Sequence, residues 1–254
     1  MVSIVIQGHT FRNVHLVIFD KDGTLMEVHH YWARMVKLRA ELISPSLNLS
    51  ETTTRALMSA MGVDPATGMI YEGGPVGIKK REDVMQAAVT YLETTGHTNT
   101  QGICERVFED VDRISRERIP EFVVPIPGAP EFVRSLAGHG CRIAIATTDR
   151  ASRGALAMEC LGIDRYISLI VGADMVKNTK PDPEMVRLIL QRLNVKKSHA
   201  LMVGDAITDV RMGVDAGLKG TIAVLTGFTR ESELRNITPY VVTSVASMRV
   251  TDGQ

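Results

Sequence analysis

Apolar and polar residues follow two alternating patterns in the second half of the chain, from residue 123 onward. Short runs rich in β-branched residues, typical of buried strands, are separated by segments with helical spacing that end near Gly or Asn. The strand-like runs cover residues 141–147, 166–173, 199–205, 220–227 and 240–245. Strands that alternate with helices of this length predict parallel βαβ units, and therefore an α/β fold with a doubly wound parallel sheet.

Another strand-like run, VHLVIFD at residues 14–20, lies close to the start of the chain. Its β-branched and aliphatic residues are typical of a strand buried on both faces. We expect it to be the first and central strand of the parallel sheet. The sequence SIVI at residues 3–6 is a candidate for a short edge strand of that sheet.

Residues 27–122 have a different character. Four segments in which apolar residues recur at helical spacing follow one another there, with almost no strand signal. The three prolines of VVPIPGAP at residues 123–130 mark the return to the sheet. We therefore predict a Rossmann-like core made of residues 1–26 and 123–254, with an all-helical domain of residues 27–122 inserted into it.

Composition excludes several classes of partner. Lys and Arg together number 29, as do Asp and Glu, so no overall charge favours nucleic acid or an anionic membrane. No apolar run approaches the ~20 residues of a membrane span, and the first residues do not resemble a signal peptide.

Cys104, Cys141 and Cys160 show no ligand or disulfide spacing, so we expect reduced, mostly buried thiols in a cytoplasmic protein.

Polar side chains stand where the predicted strands end. In chain order they are Asp20 and Asp22, Thr147 and Thr148, Lys180, and Asp205 with Asp209. Each has a plainer interpretation by itself, as a turn residue, a helix cap or a solvated loop residue. Ligands of open parallel sheets bind beyond the carboxyl ends of the strands, however. Positions at four successive strand ends favour one shared site.

In this order, four segments resemble the signature motifs of the haloacid dehalogenase-like superfamily: DKDGTL, the strand-terminal Thr147, KPDP and GDAITD. Their spacing resembles the phosphoglycolate-phosphatase-like branch, and the resemblance covers nearly the whole chain. The helical insertion is similar to the C1 cap domain of that branch. The resemblance implies that GTLMEV, after the two aspartates, forms the hairpin on which the cap opens and shuts.

The resemblance also implies a metal and a nucleophile. Asp20 would attack the phosphorus of the substrate, and Asp22 would protonate the leaving oxygen and later activate water. Mg²⁺ would be held by Asp20, Asp205 and the backbone carbonyl of Asp22, with Asp209 orienting a metal-bound water from further out.

Four more residues receive roles from the resemblance. Thr147 would donate a hydrogen bond to the transferring phosphoryl group, and Lys180 would balance its negative charge. Gly23 and Thr148, which neighbour these groups in the sequence, are expected to bind substrate. In the helical insertion, the glycine-containing loop at residues 71–80 is a candidate for contact with the leaving group.

The expected activity is Mg²⁺-dependent hydrolysis of a small-molecule phosphate ester by a monomer or homodimer, without nucleic acid or membrane as partner. A phosphomutase of the β-phosphoglucomutase type shares the core motifs and stays open. A phosphonoacetaldehyde hydrolase would need a cap lysine, for which Lys37, Lys79 and Lys80 are the candidates. Asp22 argues against a dehalogenase, and the insertion argues against a phospho-accepting receiver domain, which is about half as long.

Overall fold

The computed structural model describes residues 1–71, 73–77 and 79–253. The chain forms two compact units, one made of Met1–Glu27 with Pro125–Gln254 and the other made of Val28–Val124. The first unit contains two β-sheets with their helices, and the regular elements described in the second unit are helices. Separate roles for the two units stay a prediction.

The described strands are β1 (Val2–Ile6), β2 (His9–Val14), β3 (Leu16–Phe19), β4 (Arg142–Ala146), β5 (Leu169–Val171), β6 (Ala200–Gly204), β7 (Gly220–Val224), β8 (Val241–Val242) and β9 (Arg249–Asp252). The described α-helices are α1 (Val28–Leu47), α2 (Glu51–Ala60), α3 (Arg81–Thr94), α4 (Thr100–Glu117), α5 (Ala129–Gly138), α6 (Ala151–Cys160), α7 (Glu184–Leu193), α8 (Ile207–Asp215) and α9 (Glu231–Arg235).

The main sheet has six parallel strands in the order β5-β4-β3-β6-β7-β8. Strand β3 lies near its centre, between β4 and β6, and helices connect most of the other strands. The α/β fold with a doubly wound parallel sheet that the sequence predicts is therefore confirmed.

Helices cover both faces of the main sheet, which explains why its central strands are continuous apolar runs. Every residue of β3 and β6 is buried. Successive side chains of a strand point to opposite faces. Leu16 and Ile18 of β3 belong to a core cluster with Met185 and Ile189 of α7. Phe19 lies on the other face and meets Phe132 of α5 edge to face, with ring centroids 6.2 Å apart.

The edge-strand interpretation of residues 3–6 is wrong, because β1 belongs to a separate antiparallel sheet in the order β2-β1-β9. The chain turns back after β1 through Gly8, whose φ of +75° suits glycine, and β2 returns beside β1. Strand β2, HTFRNV, alternates too weakly to be predicted, and β9 near the C-terminus has mostly exposed side chains. A partner far along the chain leaves no local signal.

The unit Val28–Val124 contains α1 to α4, in agreement with the four helical segments predicted there. Helix α2 begins after Ser50, whose Oγ accepts a hydrogen bond from the N–H of Thr53 over 3.1 Å. Helix α4 buries one face that includes Val107, Phe108 and Val111. Within the described parts of the chain, none of the helices combines the length and the apolar character needed to cross a bilayer.

Candidate active site

The carboxyl ends of β3, β4 and β6 meet at one edge of the main sheet. Phe19, the last residue of β3, lies opposite Ile145 of β4 and Val203 of β6. Asp20 extends this pairing by one hydrogen bond, since its N–H donates to the carbonyl of Val203 over 2.9 Å. The rigid strand therefore places the Asp20 carboxylate at the edge where parallel sheets bind ligands.

Lys180 lies in the loop between β5 and α7, and its ammonium group bridges two carboxylates. Its Nζ is 2.5 Å from Oδ1 of Asp20 and 2.7 Å from Oδ1 of Asp209, and all three side chains are buried. Burial works against the charged form of Lys180, but the two carboxylates outweigh burial and raise its pKa above the ordinary value. Lys180 is therefore a fixed positive charge beside Asp20.

Three buried carboxylates form a compact acidic cluster: Asp20, Asp205 and Asp209. Each offers an oxygen within 4.8 Å of the others. Burial raises the pKa of Asp20 to about 7; Lys180 opposes this shift, while the Asp209 and Asp22 carboxylates add to it. Burial raises the pKa of Asp205 well above its usual value, and the charges of Asp209 and Asp20 raise it further. The cluster thus concentrates negative charge in a site with little solvent.

The chemistry of this cluster fits a hard divalent cation. All its donors are carboxylate oxygens, which Mg²⁺ prefers, whereas Zn²⁺ sites in proteins usually include His or Cys. The like charges of Asp20, Asp205 and Asp209 repel one another, and a bound cation would relieve that repulsion. The cluster is therefore a candidate Mg²⁺ site.

The backbone of two glycines approaches Asp205 closely. A methyl group at Gly23 would lie 2.6 Å from Cγ of Asp205, and one at Gly227 would lie at the same distance. Gly23 also has a φ of +77°, which favours glycine. Thr24 donates a hydrogen bond from Oγ1 to Oδ1 of Asp205 over 3.1 Å, and Thr226 donates from Oγ1 to the carbonyl of Gly23 over 2.5 Å. Two loops thus hold Asp205 in one position.

The carboxylates of Asp22 and Asp209 lie in different surroundings. Asp209 contributes its carboxylate to the acidic cluster, and its role in orienting a metal-bound water stays a prediction. The Asp22 carboxylate is not among the cluster's oxygens; its Oδ1 instead accepts a hydrogen bond from Nζ of Lys21 over 2.6 Å. The Asp22 side chain is 23% exposed, so part of it faces solvent. Direct ligation by Asp209 is thus possible, and a backbone role for Asp22 stays a prediction.

Thr147 and Thr148 follow β4 at the same edge of the sheet. Thr147 is fully buried, its N–H donates to the carbonyl of Val171 over 3.0 Å, and its Oγ1 accepts from the N–H of Asp149 over 3.1 Å. A hydroxyl that accepts this bond keeps its own proton for donation. Thr148 is exposed. The predicted roles of both residues toward substrate stay predictions.

Comparison with known proteins assigns the family. A model of the haloacid dehalogenase-like hydrolases matches residues 14–217, which is most of the chain. The chain belongs to this family of hydrolases. The recognition made from the motifs is thereby confirmed, as is the expectation that the protein is an enzyme.

Two curated relatives and a solved structure resemble this haloacid dehalogenase-like hydrolase over most of their lengths. The probable phosphatase IndB of Dickeya dadantii is 34% identical, with 91% of this chain and 90% of the relative covered. Pyrophosphatase PpaX of Halalkalibacterium halodurans is 33% identical, with 92% and 95% covered. The crystal structure of a predicted phosphoglycolate phosphatase from Haemophilus somnus has a TM-score of 0.66 at 17% identity, with 92% of this chain and 96% of the other chain covered. That last likeness supports the fold alone.

Two charged residues of the candidate site were not predicted from the sequence, Lys21 and Asp149. Lys21 is buried, and its Nζ lies 2.6 Å from Asp22 and 3.9 Å from Oδ2 of Asp149. Asp149 also pairs with Nε of Arg153 over 3.4 Å. The sequence did contain one signal for Lys21, which is the lysine inside DKDGTL. A lysine that directly follows a buried strand is expected to be buried itself, and a buried ammonium group needs a carboxylate nearby.

The lysines of the helical unit do not show the surroundings of a Schiff-base residue. Lys37 is half-exposed and lies 3.8 Å from Glu41, one turn along α1, as in a solvated helix face. Lys79 and Lys80 are exposed. In the candidate loop at residues 71–80, Glu72 and Ile78 lie outside the described residues. Contact between this loop and a leaving group stays a prediction.

Proposed function

We propose that this hydrolase is a Mg²⁺-dependent phosphatase that cleaves a small-molecule phosphate monoester through an aspartyl-phosphate on Asp20. The names of two relatives, a probable phosphatase and a pyrophosphatase, support this class of reaction. The observation that carries the proposal is the buried Asp20 carboxylate, 2.5 Å from the Lys180 ammonium and within the acidic cluster. A carboxylate suited to act as the nucleophile, a cationic side chain and oxygen donors suited to a metal lie together there.

In the first step, a carboxylate oxygen of Asp20 forms a bond to phosphorus while the bond from phosphorus to the ester oxygen breaks. Asp22 donates a proton to the departing oxygen, which leaves as an alcohol. Lys180 stays beside Asp20 and stabilises the negative charge that spreads over the phosphoryl oxygens. Thr147 donates its hydroxyl proton to one of those oxygens.

In the second step, water attacks the aspartyl-phosphate, and Asp22 accepts the proton that the water loses. Inorganic phosphate leaves and the Asp20 carboxylate is restored. Asp20 and Asp205 would hold Mg²⁺ together with the backbone carbonyl of Asp22, with Asp209 beside them. When bound, the ion supplies positive charge that offsets the repulsion between an anionic nucleophile and an anionic phosphate.

Substrate choice belongs to parts of the molecule that bind the leaving group. We propose that the helical unit Val28–Val124 is the cap that selects this group, since the core residues bind the phosphoryl group that all candidate substrates share. Because one relative is named a pyrophosphatase, inorganic pyrophosphate belongs among the candidates.

The three free cysteines fit a reducing compartment such as the cytoplasm.

A phosphate-release screen tests the proposed function. The purified protein is incubated with Mg²⁺ and with pyrophosphate, phosphoglycolate, sugar phosphates and nucleotides, and free phosphate is measured. Steady release is expected from at least one compound, with loss in EDTA and recovery when Mg²⁺ is added back. Asp20→Asn is the matched control, because it is nearly isosteric and removes the nucleophile.

Three outcomes would contradict the proposal. Full activity in EDTA would exclude the Mg²⁺-dependent site. Conversion of one sugar phosphate into its isomer, with little free phosphate, would favour the phosphomutase alternative over a phosphatase. Phosphate release by Asp20→Asn at the wild-type rate would place the nucleophile elsewhere.

A further inference from the structure

Lys21 is a buried cation in the candidate active site to which the phosphatase mechanism gives no task. It lies between Asp20 and Asp22, and only 2% of its side chain is exposed. Its backbone is held in a tight turn, since its carbonyl accepts hydrogen bonds from the N–H groups of Leu25 and Met26 over 3.0 and 3.1 Å. A buried ammonium group is costly unless it is paired, so its partners indicate its role.

Among the residues that the structure describes, the nearest partner of the Lys21 ammonium group is the Asp22 carboxylate. The distance from Nζ to Oδ1 is 2.6 Å, which is short for a charge-assisted hydrogen bond. The Asp22 side chain is 23% exposed, so packing leaves it some freedom to rotate. The pair with Lys21 removes that freedom by fixing one carboxylate oxygen at a defined point.

Asp149 provides a second anchor for Lys21. Its Oδ2 lies 3.9 Å from Nζ of Lys21, and Arg153 holds the same oxygen at 3.4 Å. The N–H of Asp149 donates to Oγ1 of Thr147 over 3.1 Å. Lys21 therefore connects Asp22 to the loop that carries Thr147, and the two groups keep a fixed relation to each other.

We propose that Lys21 is a positioning residue that holds the Asp22 carboxylate where it meets the leaving oxygen, a role that rests on the proposed phosphatase function. A general acid acts only within hydrogen-bond reach of the atom it protonates. A displacement of about 1 Å can cost about 10²-fold in rate. Lys21 does not touch the substrate in this account and acts through Asp22.

A purely structural role for Lys21 makes a different prediction. If Lys21 only neutralised buried carboxylates, its loss would slow the hydrolysis of every substrate by the same factor. Loss of positioning slows mainly those substrates whose leaving group needs a proton. Aryl phosphates with leaving groups of graded basicity distinguish the two cases.

The kinetic experiment measures kcat for such a series in the wild type, Lys21→Met, Asp22→Asn and the double variant. Methionine has a similar length without the charge, and the site already places a thioether, Met26 Sδ, 3.9 Å from Nζ of Lys21. We expect Lys21→Met to slow the most basic leaving groups about 10²-fold and p-nitrophenyl phosphate less than about threefold. In the Asp22→Asn background, the same change should have little further effect.

Conservative and distant variants complete the kinetic test. Lys21→Arg keeps the charge and should restore the wild-type dependence on leaving-group basicity. Lys219→Met removes an exposed lysine before β7 and should change nothing. If Lys21→Met does not fold, as judged by thermal melting, Lys21→Gln replaces it, because Gln lacks the charge and is one atom shorter. An equal loss for all leaving groups, or additive effects in the double variant, would overturn the proposal.

Crystal structures of the wild type and of Lys21→Met provide an arm that does not depend on turnover. The Asp22 carboxylate should be ordered beside Lys21 in the wild type and displaced or in several rotamers in the variant. An unchanged Asp22 position overturns the positioning role. If the wild type hydrolyses no phosphate ester at all, the proposed function fails by itself, and these structures still decide the role of Lys21.

Discussion

Replacing Gly227 by alanine tests whether the acidic cluster binds Mg²⁺. Gly227 lies in the loop after β7, away from the motifs identified in the sequence. An added methyl group would lie 2.6 Å from Cγ and 2.8 Å from Cβ of Asp205. Carbon atoms in contact lie about 3.5–4.0 Å apart, so Asp205 or the loop has to move by about 1 Å. The substitution thus displaces a candidate metal ligand without removing its charge.

The size of the expected effect follows from that displacement. A shift of about 1 Å in a reacting or binding group can cost about 10²-fold, which corresponds to about 2.7 kcal/mol. Mg²⁺ at one hundred times the wild-type Kd stabilises the native state by about 2.7 kcal/mol. If Gly227→Ala weakens binding about 10²-fold, the same Mg²⁺ concentration stabilises the variant by only about 0.4 kcal/mol.

Thermal melting with and without Mg²⁺ measures this difference. For a chain of this size, 1 kcal/mol corresponds to about 2–4 °C in Tm, so Mg²⁺ should raise the wild-type Tm by roughly 5–10 °C. The rise for Gly227→Ala should be about 1 °C. Overpacking also lowers the metal-free stability by about 1–3 kcal/mol, so the Mg²⁺-induced shift is the quantity to compare.

Gly138→Ala is the matched control. Gly138 ends α5, and a methyl group there would meet no atom within 4 Å. The control should keep the full Mg²⁺-induced shift, and its stability should stay equal or rise slightly, because alanine favours helices. A Gly227→Ala variant in which Asp205 is displaced, as its crystal structure would show, and which keeps the wild-type Mg²⁺ shift would refute the assignment of Asp205 as a ligand.

Three further predictions concern single groups. Asp20→Asn should abolish phosphate release while the Tm stays within a few degrees; wild-type rates would exclude Asp20 as nucleophile. Asp22→Asn should slow substrates with basic leaving groups about 10²–10⁴-fold and p-nitrophenyl phosphate less, in steady-state assays; equal losses would argue against an acid–base role. Burial raises the pKa of Cys104 to about 11 and that of Cys141 to about 12. Both thiols should therefore resist a thiol reagent until the protein unfolds, whereas partly exposed Cys160 should react earlier.

The main sheet could be predicted because its signals are local. Strands buried on both faces need continuous apolar runs, and the connecting helices need a repeated apolar stripe, so the alternation of patterns indicates the fold. The small sheet could not be predicted in this way. Strand β1 pairs with β9, and the polar residues of β2 and β9 give no clear period, so their pairing depends on contacts between distant parts of the chain.

The residues that converge on the candidate site could also be predicted. The carboxyl ends of neighbouring parallel strands lie at the same edge of the sheet, and this does not depend on the side chains at those ends. Asp20 and Lys180 illustrate this, since they are separated by 160 in sequence number and by 2.5 Å between their charged atoms. The partner of each carboxylate could not be predicted. Asp209 lies in the acidic cluster, and Asp22 pairs with Lys21, because side-chain rotamers and neighbouring loops decide such contacts.

Charge balance links the buried lysines to the proposed metal. Among the described residues, the contacts around the site connect five carboxylates with three cationic side chains: Asp20, Asp22, Asp149, Asp205 and Asp209 with Lys21, Lys180 and Arg153. With every group ionised, two negative charges are in excess, and one divalent cation would neutralise them. Buried charge without compensation is costly, and the raised pKa values of Asp20 and Asp205 express that cost. Replacing Lys21 or Lys180 by a neutral residue should therefore raise the affinity for Mg²⁺. Each replacement removes one positive charge and leaves one more negative charge for the cation to offset.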